Sequence, residues 1–196
     1  AVIGLFGDDP NDYMAKCGAK WLHKNGVNVL CMSPGKKNYS HVNYPLERIE
    51  TAIKWLKSND NRKVGIMGMS TAGMDAVAAA SYVYKRQVYE HPVYWQKVQE
   101  ETKGSGDFER STCLFIDSEK ARPHTEEEMI KVERIQGKLI LVAAEDDSFW
   151  EAGKYVRRME KRLAEHPHTC ECEALVYEHG THFVLPESLL RTALPV

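Results

Sequence analysis

The chain has 196 residues, enough for one domain with a real core and short for two. Hydrophobic residues make up 43% and charged residues 28%, an ordinary globular composition, and a formal net charge of -2 offers no basic face for nucleic acid. No run approaches the roughly 18 apolar residues of a membrane-spanning helix, and no signal-peptide pattern is present.

The sequence opens without Met, inside the apolar run Ala1-Val2-Ile3-Gly4-Leu5-Phe6, so the natural start is expected to lie upstream. The five cysteines (Cys17, Cys31, Cys113, Cys170 and Cys172) are odd in number and scattered. That suits a reducing compartment better than a disulfide framework, and the expected location is cytoplasmic.

Strand-like and helix-like segments alternate along the chain. Residues 1–6 read as a buried strand. Residues 12–25 read as a helix with Met14, Cys17 and Trp21/Leu22 on one face and Gly26 as its stop. Val27 to Met32 is a second apolar strand. Pro45 opens another helix, with Leu46, Ile49, Ile53 and Leu56 at helical spacing. Lys63 to Met69 is a third strand, and Thr71 to Ser81, rich in Ala, is a helix. Lys138 to Ala144 is a fourth strand, and Phe149 to Ala164 an amphipathic helix with Tyr155, Val156, Met159 and Leu163. Glu173 to Tyr177 is a fifth strand, and Pro186 starts a last short helix.

Repeated strand–helix units with near-continuous apolar strands predict an α/β fold, a mostly parallel sheet with helices on both faces. Residues 88–134 break the rhythm with Tyr89, Tyr94, Trp95, a Gly104-Ser105-Gly106 turn and an acidic run at Glu126–Glu128. This stretch reads either as a solvated excursion or as a lid within one domain spanning 1–196. Its aromatic residues either line an acyl pocket or anchor the lid.

Gly68-Met69-Ser70-Thr71-Ala72-Gly73 lies between a strand and a helix. The nucleophile elbow G-x-S-x-G lifts a serine above a sheet at a crowded strand-to-helix turn, which demands small residues two before and two after it. Gly68 and Ala72 meet that demand, Ala replacing the usual second Gly. The competing reading is that Ser70 caps the helix.

The order of such triads is Ser, then Asp or Glu, then His. The fourth strand ends in Ala144-Glu145-Asp146-Asp147-Ser148-Phe149-Trp150, where Asp147 is the preferred acid and Asp146 the alternative. The competing reading is that these acids cap the next helix. After the fifth strand comes Glu178-His179-Gly180-Thr181-His182-Phe183, where His182 is the preferred base and His179 the alternative.

In this assignment His182 takes the Ser70 proton and returns it to the leaving group, while Asp147 fixes the imidazole tautomer. Two backbone N–H groups hold the oxyanion: that of Thr71, and that of Asp8 in the loop Phe6-Gly7-Asp8-Asp9-Pro10. No metal and no cofactor is expected. The run His166-Pro167-His168-Thr169-Cys170-Glu171-Cys172 has zinc-type donors at alternate positions, but no second ligand cluster supports it, and it reads as a surface loop entering a strand. Cys17 and Cys31 read as core residues.

Ile3-Gly4-Leu5-Phe6-Gly7, Val64-Gly65-Ile66-Met67-Gly68-Met69-Ser70, the acid run 144–150 and His179-Gly180-Thr181-His182-Phe183 together resemble a known family. It is the C-terminal hydrolase domain of the bile-acid-CoA:amino acid N-acyltransferase and acyl-CoA thioesterase family, itself close to dienelactone hydrolases. The resemblance covers residues 1–84 and about 134–186. It implies an α/β-hydrolase fold and acyl transfer from small-molecule esters or thioesters; from the charge and the lack of a long apolar run, no nucleic-acid or membrane partner is expected. Some members acylate amines through a Cys nucleophile, and Ser70 fits the hydrolytic branch.

That fold has a strand between the elbow helix and the acid-bearing strand, and no segment here reads as one. Val83–Gln87 also matches the translation of a common sequencing-adapter sequence. A joined or deleted reading frame is therefore expected there, with a strand and part of the lid lost and with truncation after Val196. The leading expectation is a serine esterase or thioesterase. The alternatives are an acyl-CoA:amine N-acyltransferase, a peptidase or carbon–carbon hydrolase of the same fold, and a non-catalytic fragment or binding domain.

Overall fold

The structure, a computed structural model, describes residues 1–6, 13–32, 44–81, 108–121 and 123–193. The chain divides into two compact units, one formed by Ala1–Tyr89 with Leu185–Val196 and the other by Glu90–Val184.

The first unit is built on three parallel strands, β1 (Val2–Phe6), β2 (Val29–Met32) and β3 (Gly65–Met69), in the order β2-β1-β3. The central strand is the most apolar, and Ile3, Leu5 and Phe6 are fully buried. Each such side chain contributes about 1.5–3 kcal/mol over an exposed one. The register pairs Val2 with Gly65 and Phe6 with Met69, so the ends of β1 and β3 lie side by side.

Right-handed crossovers in parallel sheets need helices, and the sequence supplies them. Helix α1 (Tyr13–Lys24) buries Ala15, Cys17, Gly18 and Leu22. It stops at Gly26, whose φ of 74° is the left-handed conformation glycine adopts freely. Helix α2 (Glu47–Ser58) follows Pro45 and buries Ile49, Ala52 and Leu56. Helix α3 (Thr71–Ala80) buries Ala72, Ala76 and Ala79, small residues that let it lie close to the sheet.

Strands β1, β2 and β3 start one or two residues later than the apolar runs predict. Val27 and Asn28 make the turn out of α1, with the Val27 N–H donating to the Leu22 carbonyl at 3.1 Å, so β2 begins at Val29. The C-terminal helix, Glu187–Ala193, returns to this unit. There Tyr13 Oη donates to the Ala193 carbonyl at 2.8 Å, and the Trp21 indole N–H to Ser188 Oγ at 2.8 Å.

The second unit carries a separate parallel pair, β4 (Lys138–Ala144) and β5 (Glu171–Tyr177), in register from Lys138–Glu171 to Ala144–Tyr177. Helix α5 (Ala152–Glu165) connects them and buries Val156 and Leu163. Leu139, Leu141 and Ala143 are buried on one face of β4. Ile140 and Val142, on the other face, are 56% and 47% exposed.

Helix α5 starts at Ala152 rather than Phe149, because the Phe149 and Trp150 N–H groups bond a side chain instead of opening the helix. Within the stretch read as an excursion or lid, Phe108–Ala121 forms helix α4. Tyr89, Tyr94, Trp95, the Gly104–Gly106 turn and Val83–Gln87 lie outside the described residues, as do Gly7 and Asp8. Among the described residues no strand lies between α3 and β4, and no helix is long and apolar enough to cross a membrane.

Segment 123–134 is fastened to α5 by Arg162. Its guanidinium donates to Glu133 Oε2 at 2.7 Å and to Glu126 Oε1 at 2.7 Å. Arg162 and Lys131 together hold the Glu126 carboxyl down at about 2, and the same guanidinium lowers that of Glu133. Helix α4 is tied to α5 by Glu119, which accepts from Arg158 and, at 3.1 Å, from Lys154 Nζ.

Candidate active site

In the first unit, Ser70 stands between the end of β3 and the start of α3 with φ 59° and ψ -136°. A non-glycine residue held there costs on the order of 1–3 kcal/mol, and such residues cluster at functional sites. The turn is tight. A Cβ added to Gly68 would lie 2.2 Å from the Ala72 carbonyl oxygen, so only glycine fits. Ala72 is itself fully buried, and the Gly73 N–H donates to the Ser70 carbonyl at 2.8 Å.

Ser70 occupies the N-cap position of α3 but makes no side-chain capping bond to it. The Thr71 N–H is the first of α3, among the donors a helix cannot use internally. Phe6, whose neighbour Gly7 begins the loop expected to supply the second donor, is paired with Met69. Asp8 itself lies outside the described residues.

In the second unit, the register of β4 with β5 decides what meets. Ala144 is paired with Tyr177, and the Glu145 N–H donates to the Tyr177 carbonyl at 2.9 Å. The residues just past both strands therefore come together. Asp147 Oδ2 lies 2.9 Å from His182 Nδ1. Asp147 Oδ1 accepts the Phe149 N–H at 2.8 Å and the Trp150 N–H at 3.4 Å. The two side chains are only 4% and 12% exposed, so the pair works where water screens it little. An ionised carboxylate can only accept, so in this hydrogen bond Nδ1 is the donor.

The neighbouring acids have different partners. Glu145 pairs with Arg157, whose hydrogen bonds lower its carboxyl. Asp146 Oδ1 accepts the Gly180 N–H at 2.6 Å, and Oδ2 lies 3.4 Å from His179 Nδ1. The Gly180 N–H is the main cause that holds the Asp146 carboxyl below its ordinary value. The three acids thus serve three purposes: Glu145 an ion pair, Asp146 the histidine loop, Asp147 the buried imidazole. None of the three is the residue preceding α5, which is Glu151, and that residue makes no side-chain cap bond either.

Sequence reasoning missed the rings around His182. Phe149 lies 4.7 Å from it between centroids, Trp150 4.9 Å and Phe183 5.4 Å. Their adjacency to Asp147 and His182 in sequence was the available signal. Phe115 of α4, which packs on Trp150 at 5.6 Å, carried none.

The His166–Cys172 run does not gather its donors. His166 Nδ1 lies 2.9 Å from the Arg162 carbonyl oxygen and His168 Nδ1 3.0 Å from that of His166. Among the described residues no three His, Cys, Asp or Glu side chains are placed to hold a metal ion. All five cysteines are free thiols; Cys17 is buried, and burial pushes the half-buried Cys31 up to about 11.

Parallel strands joined by helices, with a left-handed serine at one strand-to-helix turn, define an α/β-hydrolase fold. Solved structures agree. An esterase from Pyrococcus furiosus is similar with a TM-score of 0.59 at 17% identity, covering 99% of this chain and 76% of that one. An uncharacterised protein from Bacillus cereus is similar at 0.55 and 12% identity, covering 96% of this chain and 55% of that one. At these identities the likeness speaks for the fold alone. The family described as BAAT / acyl-CoA thioester hydrolase C terminal matches residues 72–187. That is more than half of the chain, and the chain belongs to this family. No curated protein matches the sequence. The family match begins two residues past Ser70, so the case for that serine rests on its own geometry.

Proposed function

We propose that this protein is a serine hydrolase that cleaves small-molecule esters or thioesters through an acyl-enzyme on Ser70, with Asp147 and His182 as its acid and base. The observation that carries the reading is the buried Asp147–His182 pair at 2.9 Å just past β4 and β5, in a chain whose β3 ends in a left-handed Ser70. The family membership favours acyl chemistry on thioesters, and the similar Pyrococcus protein is an esterase.

In this reading Ser70 Oγ attacks the substrate carbonyl carbon as its proton passes to His182 Nε2. Asp147 stabilises the imidazolium through Nδ1–H. The negative oxygen is held by the N–H groups of Thr71 and Asp8, and losing one such donor costs roughly 10²–10³-fold in rate. Collapse expels the alcohol or thiol, which takes the proton from Nε2. Water then attacks the acyl-Ser70 ester, gives its proton to His182, and releases the acid as Oγ regains a proton.

A fluorophosphonate probe tests the assignment directly. The wild-type chain is expected to label and Ser70→Ala not to; labelling that persists in Ser70→Ala disproves the nucleophile. Hydrolysis of p-nitrophenyl esters and acyl-CoAs, each with and without added amines, then separates ester, thioester and N-acyl transfer chemistry. Ser70→Cys is the variant in which amine acylation is expected to rise.

A further inference from the structure

We propose that Trp150, with Phe149 beside it and Phe115 behind it, is a positioning residue for His182. The proposal rests on His182 being the base of the reaction above.

The hydrogen bond from Nδ1 to Asp147 fixes one point of the imidazole. A bond at one point does not by itself deny a ring the freedom to turn about it. Two rings remove that freedom. Phe149 lies against the imidazole at 4.7 Å with planes 33° apart, close to an offset stack, while Trp150 stands nearly perpendicular at 4.9 Å and 83°. A tilted stack on one side and an edge contact at right angles together define the plane of the ring, and both are favoured aromatic geometries.

The same dipeptide also sets the carboxylate, because the backbone N–H groups of Phe149 and Trp150 are the donors to Asp147 Oδ1. Two adjacent residues therefore orient both members of the pair: the acid through their backbone, the base through their side chains. Phe115 buttresses the arrangement from α4, at 79° to Trp150 and 6.2 Å from Phe149. Helix α4 is anchored to α5 through Glu119 with Lys154 and Arg158.

Trp150→Leu keeps an apolar side chain and removes the ring, and Trp150→Phe restores a ring of smaller size. The expected result is a fall in kcat of roughly 10- to 100-fold for the Leu variant with KM little changed, since small misplacements of a reacting group have effects up to that size. The Phe variant should recover most of the loss. The second readout is the low-field proton signal of His182 Nδ1–H, assigned by its disappearance in His182→Gln. It should be sharp in wild type and in Trp150→Phe, and broadened or lost in Trp150→Leu. Phe115→Leu should move both readouts the same way by less, and it carries the test if Trp150→Leu fails to fold.

The signal is also recorded in Ser70→Ala, where no chemistry occurs. A failed hydrolase reading therefore appears as labelling that persists without Ser70, whatever the ring signal does. Failure of the present proposal appears as a sharp His182 signal and an unchanged kcat in Trp150→Leu, with Ser70 still required.

Discussion

The elbow around Ser70 and the Asp147–His182 pair are held in place by different physics. The elbow is a matter of backbone sterics. Ser70 sits at φ 59°, Gly68 has no room for a Cβ, and the close partner is the main chain of Ala72. The pair is a matter of side-chain chemistry: a carboxylate fixed by two N–H groups, an imidazole fixed by that carboxylate, and three rings packed around it. A site held by sterics should fail as a unit, taking stability with it. A site held by polar contacts should lose chemistry while its surroundings stay folded.

The sharpest way to break this contrast is Asp147→Asn. The Asn side-chain oxygen can still accept the Phe149 and Trp150 N–H groups, so the loop keeps its anchors. Its amide NH₂ then faces Nδ1 and demands the other imidazole tautomer. The expected loss in kcat is about 10⁴-fold, the size seen when a triad acid is changed in this way, with little change in the thermal midpoint. A cooperative melt that drops with activity would show that the pair is structural rather than chemical.

Gly68→Val should behave in the opposite manner. A backbone oxygen 2.2 Å from the new Cβ cannot be relieved by a side-chain rotation, so strand, turn or helix must move. The expected cost is about 3 kcal/mol or more, at or above the upper end of what overpacking substitutions ordinarily cost, together with loss of Ser70 labelling. Chemical denaturation followed alongside probe labelling checks both halves. Full labelling at wild-type stability would show that the elbow is looser than its geometry implies.

The contrast also explains what could be read in the sequence and what could not. Sterics leave a local signature: Gly68 and Ala72 flank Ser70 at fixed spacing, and the elbow is legible from six consecutive residues. The alternation of strands and helices is local too, and the segments read from periodicity match those described except at their ends. Those ends moved where a backbone N–H found a different partner, as at Phe149, or where a turn consumed strand residues, as at Val27. Side-chain chemistry left less. The acids at 145–147 and the histidines at 179 and 182 were legible as a set. Their pairing depended on the register of β4 with β5, which puts Asp147 on His182 and Asp146 on the Gly180 turn. Phe115 was not legible, because its contact with Trp150 joins α4 to the loop after β4 across 88–134, a stretch with no clear periodicity.

Arg162 gives a smaller test of the second unit, and one away from the chemistry. Its side chain is 9% exposed, Glu133 is 14% exposed, and Glu126 is largely open to water. Removing one partner of a buried pair costs about 3–5 kcal/mol. The open side of this network reduces that, so Arg162→Met should cost about 2 kcal/mol while Ser70 labelling at a permissive temperature is unchanged. A loss of labelling out of proportion to stability would tie segment 123–134 to the site rather than to the fold alone.

The smallest effect belongs to Asp146, and its sign is fixed by the direction of its shift. The Gly180 N–H and the adjacent His179 hold this carboxyl below its unfolded value, which is about 3.9 for aspartate. A group depressed in the folded state contributes stability above the unfolded value and loses it as pH falls through the folded one. Asp146→Ala should therefore melt slightly below wild type at neutral pH, and the two curves should converge as the pH drops below about 4. The carboxylate is exposed, so the gap is small and should shrink with added salt. Its effect on the chemistry should be larger than its effect on stability, because Gly180 lies two residues before His182. Releasing that turn is expected to lower kcat modestly without altering the melt in proportion. A gap that widens toward low pH would mean that Asp146 is destabilising as a carboxylate, and that the histidine loop is held by His182 and its rings alone.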